Sequence, residues 1–318
     1  MSPSESPLAD VRPKRAIIGT CLTGLAVLTV PFYSTFGLHV NWASTLPYGS
    51  LLATLVGLTA YFVRYPGSPR ERAFGDATGA MSLIVALLIL LTPAQYLAVA
   101  QRRPLIDPWL AAADALMGVH VPSLTDWTRA HPFVDQGLRI AYFSLGTQFV
   151  ATPLLLGIAF RSAQRVWEFT FHFFACVLVA LAALAVFPAA CAFQFYGFES
   201  TIDQARFIAH FNGVREGVFN TIHFDDLEGL VSMPSFHAAG GIFVTWAFRD
   251  RVAVAIAVGL LNLGLMAATV LTGAHYFIDL LASAILFAVS VLAYDGVTRL
   301  ATTRTVQPSA AVFDALSP

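Results

Sequence analysis

Apolar residues in this chain gather into long uninterrupted runs, not the alternation of a half-buried strand or the single stripe of a soluble amphipathic helix. Eight runs approach the ~20 residues that a helix needs to cross a hydrocarbon core. They cover about 16–38, 47–63, 80–100, 138–160, 166–187, 232–248, 252–272 and 275–294, the second and sixth being short. The expected fold is therefore all-α, a polytopic transmembrane helical bundle of about eight spans, within a range of six to eight. The first run follows Arg12, Lys14 and Arg15 as the core of a signal peptide would. No small-residue cleavage pattern comes after it, and Tyr33-Ser-Thr-Phe does not resemble one, so it is read as a retained helix.

Composition agrees: 57% of the residues are apolar and 12% charged, against roughly 25% charged in soluble domains. A net charge of −1 offers no bulk attraction to nucleic acid. Cys21, Cys176 and Cys191 are widely spaced in or beside apolar runs, which suits small buried hydrophobes better than a disulfide framework or a zinc site. Basic residues test the span count, because cytoplasmic loops are enriched in them. With the N-terminus inside, Arg12, Lys14, Arg15, Arg64, Arg70, Arg72, Arg161, Arg165, Arg249, Arg251, Arg299 and Arg304 are cytoplasmic, twelve of the 18 Lys and Arg. An even number of spans with both termini cytoplasmic follows.

The chain divides into a disordered cytoplasmic tail at 1–15, N-terminal transmembrane helices at 16–100, a core at 101–300 and a second tail at 301–318. Two long outer loops, 101–137 and 188–231, carry most of the His, Asp and Glu, and loops of that length usually have a function. Within the first, Leu105, Ile106, Trp109, Leu110, Ala113, Leu116 and Met117 recur at helical spacing, with Asp107 and Asp114 on other faces. That pattern fits a helix lying on the outer leaflet and equally one packed against the bundle.

Two clusters place polar groups at membrane depth, where they are expensive and point to function. In Glu228-Gly-Leu-Val-Ser-Met-Pro234-Ser235-Phe-His237, Pro234 and Ser235 open a helix, with His237 in its first turn. The free N–H groups of such a helix start suit an anion. In His275-Tyr-Phe-Ile-Asp279, His and Asp four apart share one helix face. Asp279 can then accept from one ring nitrogen and leave the other as an oriented base or nucleophile. The apolar hairpin between the clusters returns both to the same leaflet. Of the other histidines, His39, His120, His131, His210 and His223 read as solvated loop residues and His172 as a helix–helix hydrogen-bonding group. His223-Phe-Asp225-Asp226 has too little ligand specificity for a metal site.

Pro234-Ser235-Phe236-His237 followed by His275-Tyr-Phe-Ile-Asp279 resembles the second and third motifs of the phosphatidic acid phosphatase type 2 superfamily, Pro-Ser-x-His and His-x-x-x-Asp. The His-Tyr-x-x-Asp form is most similar to the inositol phosphorylceramide synthase-like and sphingomyelin synthase-like branch. The first motif is missing, since the only lysine is Lys14 and Arg102-Arg103-Pro104 has no Lys upstream. The Ser-Arg that precedes the third motif in the phosphatases is replaced by Ala268 and Thr269. The resemblance implies a membrane-embedded lipid phosphate phosphatase or phosphotransferase working through a phosphohistidine, without metal or other cofactor. His275 would attack phosphorus, Asp279 would orient it, and His237 would protonate the leaving oxygen and then activate water or an acceptor alcohol. With the usual cations lost, Arg215 and then Arg139, with the Ser235 helix start, are the expected phosphate-binding groups. The substrate would be a lipid-linked phosphate or phospholipid in the bilayer, and the location a bacterial inner membrane with the site facing the periplasm. A transporter or a non-catalytic lipid-binding protein is the rival; the absence of charged residues in mid-span and of paired broken helices argues against transport.

Overall fold

A computed structural model describes residues 34–305, together with Gly19, Thr23, Gly24 and Ala26. Most of the expected first span, Cys21, the whole of the tail at 1–15 and most of that at 301–318 lie outside the described residues. The described chain is a helical bundle with one pair of two-residue strands, β1 (His39–Val40) and β2 (Thr221–Ile222), joined in parallel. The helices are α1 (Leu46–Arg64), α2 (Pro69–Ala100), α3 (Asp107–Leu116), α4 (Val121–Arg129), α5 (Pro132–Leu154), α6 (Ala163–Val186), α7 (Ala192–Tyr196), α8 (Ala205–Glu216), α9 (Phe236–Ala247), α10 (Val252–Leu271) and α11 (Phe277–Thr305). Among the described residues six helices are long and apolar enough to cross a membrane: α1, α2, α5 with its continuation to Ala159, α6, α10 and α11. They match the expected runs at 47–63, 80–100, 138–160, 166–187, 252–272 and 275–294.

Two expectations change. The run at 232–248 forms α9, of 12 residues, about 18 Å of helix against a ~30 Å hydrocarbon core. Neighbouring helices pack around it, and it still joins the two ends of the bundle, from His237 in its first turn to Arg249 and Asp250 just beyond its last. The last helix runs on to Thr305, so the start of the expected 301–318 tail is helical.

Local signals explain the helix ends. Ser68 accepts from Glu71 N while Glu71 reaches back to Ser68 N, a capping box with Pro69 in the first turn of α2. Ser162 caps α6 by accepting from Arg165 N. Pro153 sits inside α5, which widens into a π-turn at Leu155–Ala159. There Gly157 lets the backbone pass close to α2: a Cβ on it would lie 2.9 Å from Ala77 Cβ and 3.1 Å from Ala73 O. Lipid tails are as apolar as these side chains, so close packing has to hold the helices together. The packing is aromatic at the centre, where Phe149 of α5, Phe169 and Phe173 of α6, and Phe236 and Phe243 of α9 meet at ring separations of 5.0–6.4 Å.

The loops collect at two ends. At one, Arg165 pairs with Glu168 at 2.6 Å and with Asp250, and Arg249 reaches Glu168 at 2.6 Å. At the other, the two long segments expected to be outer loops fold into α3, α4, α7 and α8. They lock together through Asp107 to Ala190 N, Arg129 to the Glu199 carbonyl and Arg139 to the Thr201 carbonyl. This second end holds the candidate chemistry.

Candidate active site

Ser235 is the N-cap of α9: its hydroxyl accepts from Ala238 N, and its carbonyl accepts from Ser283 Oγ of α11 at 2.8 Å. That pairing fixes the start of α9 against α11 and puts His237 in the first turn. The His237 ring stacks on Tyr142 of α5, centroids 4.1 Å apart and planes 17° from parallel, which restricts its rotation.

His275 lies just before α11, in a turn whose Gly273 has φ +86°. A Cβ at Gly273 would come within 2.5 Å of the Phe198 ring, so glycine is needed for both reasons. His275 N donates to the Thr269 carbonyl at 2.9 Å. Its Nδ1 faces two acceptors, the Ser232 carbonyl at 3.0 Å and Asp279 Oδ2 at 3.4 Å. Two acceptors on one nitrogen fix the tautomer: Nδ1 carries the hydrogen and Nε2 keeps its lone pair. Asp279 Oδ2 also accepts from Tyr276 N at 3.0 Å. The His237 and His275 rings are neighbours, with centroids 6.2 Å apart.

The segment carrying His275 is held from behind by α3. Asp114 accepts from Phe277 N at 2.9 Å and Ile278 N at 2.8 Å, capping α11 from another helix. Asp107 accepts from Ala190 N and, at 2.9 Å, from the Tyr276 hydroxyl. Both carboxylates are buried, and burial raises their pKa values above the usual carboxylate range. The expected apolar stripe is divided, Leu110 being buried on the same side as Asp107 and Asp114. Seven apart, the two carboxylates share the face turned to the protein, while Trp109 and Leu116 are 79% and 91% exposed.

His237, His275 and Tyr142 line a cavity of about 310 Å3 together with Gln95, Cys191 and Glu228. Gln95 fixes its rim, donating to the Glu228 carbonyl and accepting from Leu230 N, both at 2.9 Å. A wider opening of about 590 Å3 shares Tyr142, Glu228 and His237 with it and adds Arg206 and Asp203. Burial raises the Glu228 carboxyl above its ordinary pKa.

Neither arginine expected to bind phosphate lines these two cavities. Arg139 is half exposed, donates to the Thr201 carbonyl at 3.2 Å and lies 4.0 Å from Asp135. Arg215 lies over the Phe211 ring, 5.8 Å from its centroid, and its Nη1 is buried without a hydrogen-bond partner. Asp107 attracts it and Arg102 repels it. The cation facing the His237 cavity is Arg206, held by Asp226 at 3.1 Å. An exposed loop arginine beside an acidic residue carries no special signal in a sequence. His210 is also not the solvated residue expected: it is 3% exposed, with Nδ1 2.6 Å from the Tyr96 hydroxyl and Nε2 3.4 Å from Asp226. His172 does join helices, through Ser290 Oγ at 3.0 Å.

No curated protein and no solved structure matches the chain. A profile of the PAP2 superfamily matches residues 108–293, a stretch that begins in α3, ends within α11 and contains both histidine clusters. With its apolar spanning helices, the chain belongs to the PAP2 superfamily of membrane proteins.

Proposed function

We propose that this chain, a member of a superfamily of phosphatases and phosphotransferases, cleaves or transfers a lipid-linked phosphate through a phosphohistidine on His275. The observation that carries the reading is the His237–His275 pair in one cavity, 6.2 Å apart, with Nδ1 of His275 engaged by Ser232 O and Asp279. Nε2 of His275 attacks phosphorus, so that a P–N bond forms while the bond from phosphorus to the leaving oxygen breaks. Protonated His237 gives its proton to that oxygen. Neutral His237 then takes a proton from water or an acceptor alcohol, whose oxygen attacks phosphorus and releases His275. Asp279 holds the ring and favours the cationic form that develops on attack. Arg206 offsets charge on the phosphoryl oxygens from the wider opening, the Ser235 helix start supplies N–H dipoles, and Arg215, attracted by Asp107, is the second cation. Water and an alcohol compete for the same intermediate, so hydrolase and transferase share this machinery, including transfer of the kind implied by the inositol phosphorylceramide synthase-like resemblance. The distribution of Lys and Arg supports a site on the outer face with both termini cytoplasmic, and we place the protein in a bacterial inner membrane with that face towards the periplasm.

The test is to incubate purified protein with labelled lipid phosphates, with and without acceptor alcohols and with a chelator present throughout. Turnover, together with an alkali-stable and acid-labile phosphoenzyme that His275→Ala lacks, is the expected result. Lipid binding without turnover of any member would leave a lipid-binding protein. Activity that needs one divalent ion would overturn the histidine mechanism.

A further inference from the structure

The cavity of the two histidines continues into a second one of about 370 Å3, with Leu88, Thr92 and Leu227 in the walls of both. The second cavity also meets the wider opening at Gly146 and Phe149. Its walls come from α1, α2, α5 and α6 and from the loop before α9, and their side chains are apolar apart from Tyr48 and Thr92. Both of those hydroxyls are already donating, Tyr48 to the Phe224 carbonyl and Thr92 to the Leu88 carbonyl, each at 2.9 Å. A polar ligand would find two hydroxyl oxygens as acceptors and no free side-chain donor, and would lose its hydration, whereas a hydrocarbon chain has no such loss. Leu51, Leu88 and Val150 at the margin are each 43–48% exposed on spanning helices, so the groove opens towards the acyl phase of a bilayer.

We propose that this groove between α2 and α5 holds a hydrocarbon tail of the lipid whose phosphate is at His237 and His275. The argument is continuity: Leu88, Thr92 and Leu227 line both spaces, so a chain leaving a phosphate held at the histidines has an almost wholly apolar space beside it to enter. The wall formed by α1 and α2 precedes residue 108, where the superfamily match begins, so the groove is built partly by a segment outside that match. The inference rests on the lipid-phosphate reading only for its headgroup.

The probe is a long-chain phosphatidic acid with a diazirine in mid-chain, photolysed with the full-length protein in detergent–lipid micelles and mapped by mass spectrometry. Label is expected on Leu88, Ile89 and Phe149, in excess over Ile256 and Leu260, which are 58% and 67% exposed on α10. Gly146→Phe tests the route directly. A Cβ at Gly146 meets no heavy atom within 4 Å, so the ring occupies the groove instead of displacing packed groups. That variant should lose the groove label and lower the ratio of kcat/KM for long-chain over short-chain phosphates about tenfold. Equal labelling of groove and α10, or an unchanged ratio, overturns the proposal while leaving turnover intact. Groove label without turnover of any phosphate upholds the groove and overturns the enzymatic reading instead.

Discussion

The Tyr276 hydroxyl donates to Asp107 Oδ1 across 2.9 Å, linking the residue next to His275 to a helix 169 positions earlier in the chain. One turn-pair further along that helix, Asp114 caps Phe277 and Ile278. Two carboxylates on one face of α3 thus set both the direction of α11 and the position of the His275 turn. The Asp279 carboxylate then has to reach only its own first turn and the imidazole.

Asp114→Ala leaves two N–H groups at the start of α11 without their acceptor and should cost about 1–2 kcal/mol of stability. Asp107→Ala strands the buried Tyr276 hydroxyl and Ala190 N–H and should cost about 1–3 kcal/mol. If these residues position His275, kcat should fall several-fold further than the loss of folded protein explains, with KM little changed. Asp107→Asn, which can still accept from Tyr276, should restore most of it. Denaturant titration beside steady-state kinetics separates the two effects. A loss confined to stability would reduce α3 to a structural brace.

The two histidines should fail differently. His275→Ala removes the attacking nitrogen and should abolish turnover and phosphoenzyme with every substrate. His237→Ala keeps the nucleophile but removes the proton for the leaving oxygen, so an aryl phosphate should be turned over far better than a lipid alkoxide, relative to wild type. Asp279→Asn should fall between the two. Rescue of His275→Ala by the better leaving group would reverse the assignment.

How much of this was readable in the sequence depends on how local each signal is. The spanning helices are legible because a bilayer demands long apolar runs, and His237, His275 and Asp279 because each sits at a fixed spacing at the start of such a run. The run at 232–248 predicts a longer helix than Phe236–Ala247 because hydropathy continues through 232–235 and Phe248, where the backbone is not helical. Asp107 and Asp114 give no such signal for another reason: their partners are the Ala190 N–H, 83 residues after Asp107, and the Tyr276 hydroxyl and the Phe277 and Ile278 N–H groups, more than 160 residues downstream. Arg206 and His210 were hidden in the same way, since the 188–231 segment reads as loop and gives no indication that α8 turns one towards the cavity and the other under Tyr96.

The arginines can be ranked by where they face. Arg206→Gln should raise KM for phosphate substrates about tenfold by removing the cation of the wider opening, an effect worth about 1.4 kcal/mol. Arg139→Gln, with its side chain on the Thr201 carbonyl and in water, should change KM less than twofold. Arg215→Gln should act mainly on kcat, through Asp107 and Tyr276. Glu228→Gln removes a carboxylate that faces the same cavity, and should lower KM at alkaline pH. Burial raises the Glu228 pKa, so repulsion of the phosphate grows as pH rises through that value. If Arg215→Gln raises KM most, the cation of the site is Arg215 and the facing of Arg206 is incidental.

His210 gives the pH prediction. Its Nδ1 is 2.6 Å from the Tyr96 hydroxyl, and the Phe219 ring centroid is 4.5 Å from its own. Burial lowers its pKa below the ordinary 6.5, against the pull of Asp226 in the other direction. The folded protein therefore binds fewer protons here than the unfolded chain when the pH is near or below that value. For a base whose pKa is depressed by folding, the stabilisation is present above the unfolded pKa and is lost as the pH falls through it. The unfolding temperature in detergent should drop on going from about pH 7.5 to about pH 5.5. His210→Gln, uncharged throughout and still able to accept from Tyr96 through its amide oxygen, should flatten that slope while costing stability at neutral pH. An unaltered slope in the variant would move the acid sensitivity to another group and leave His210 a neutral packing residue between Tyr96 and Phe219.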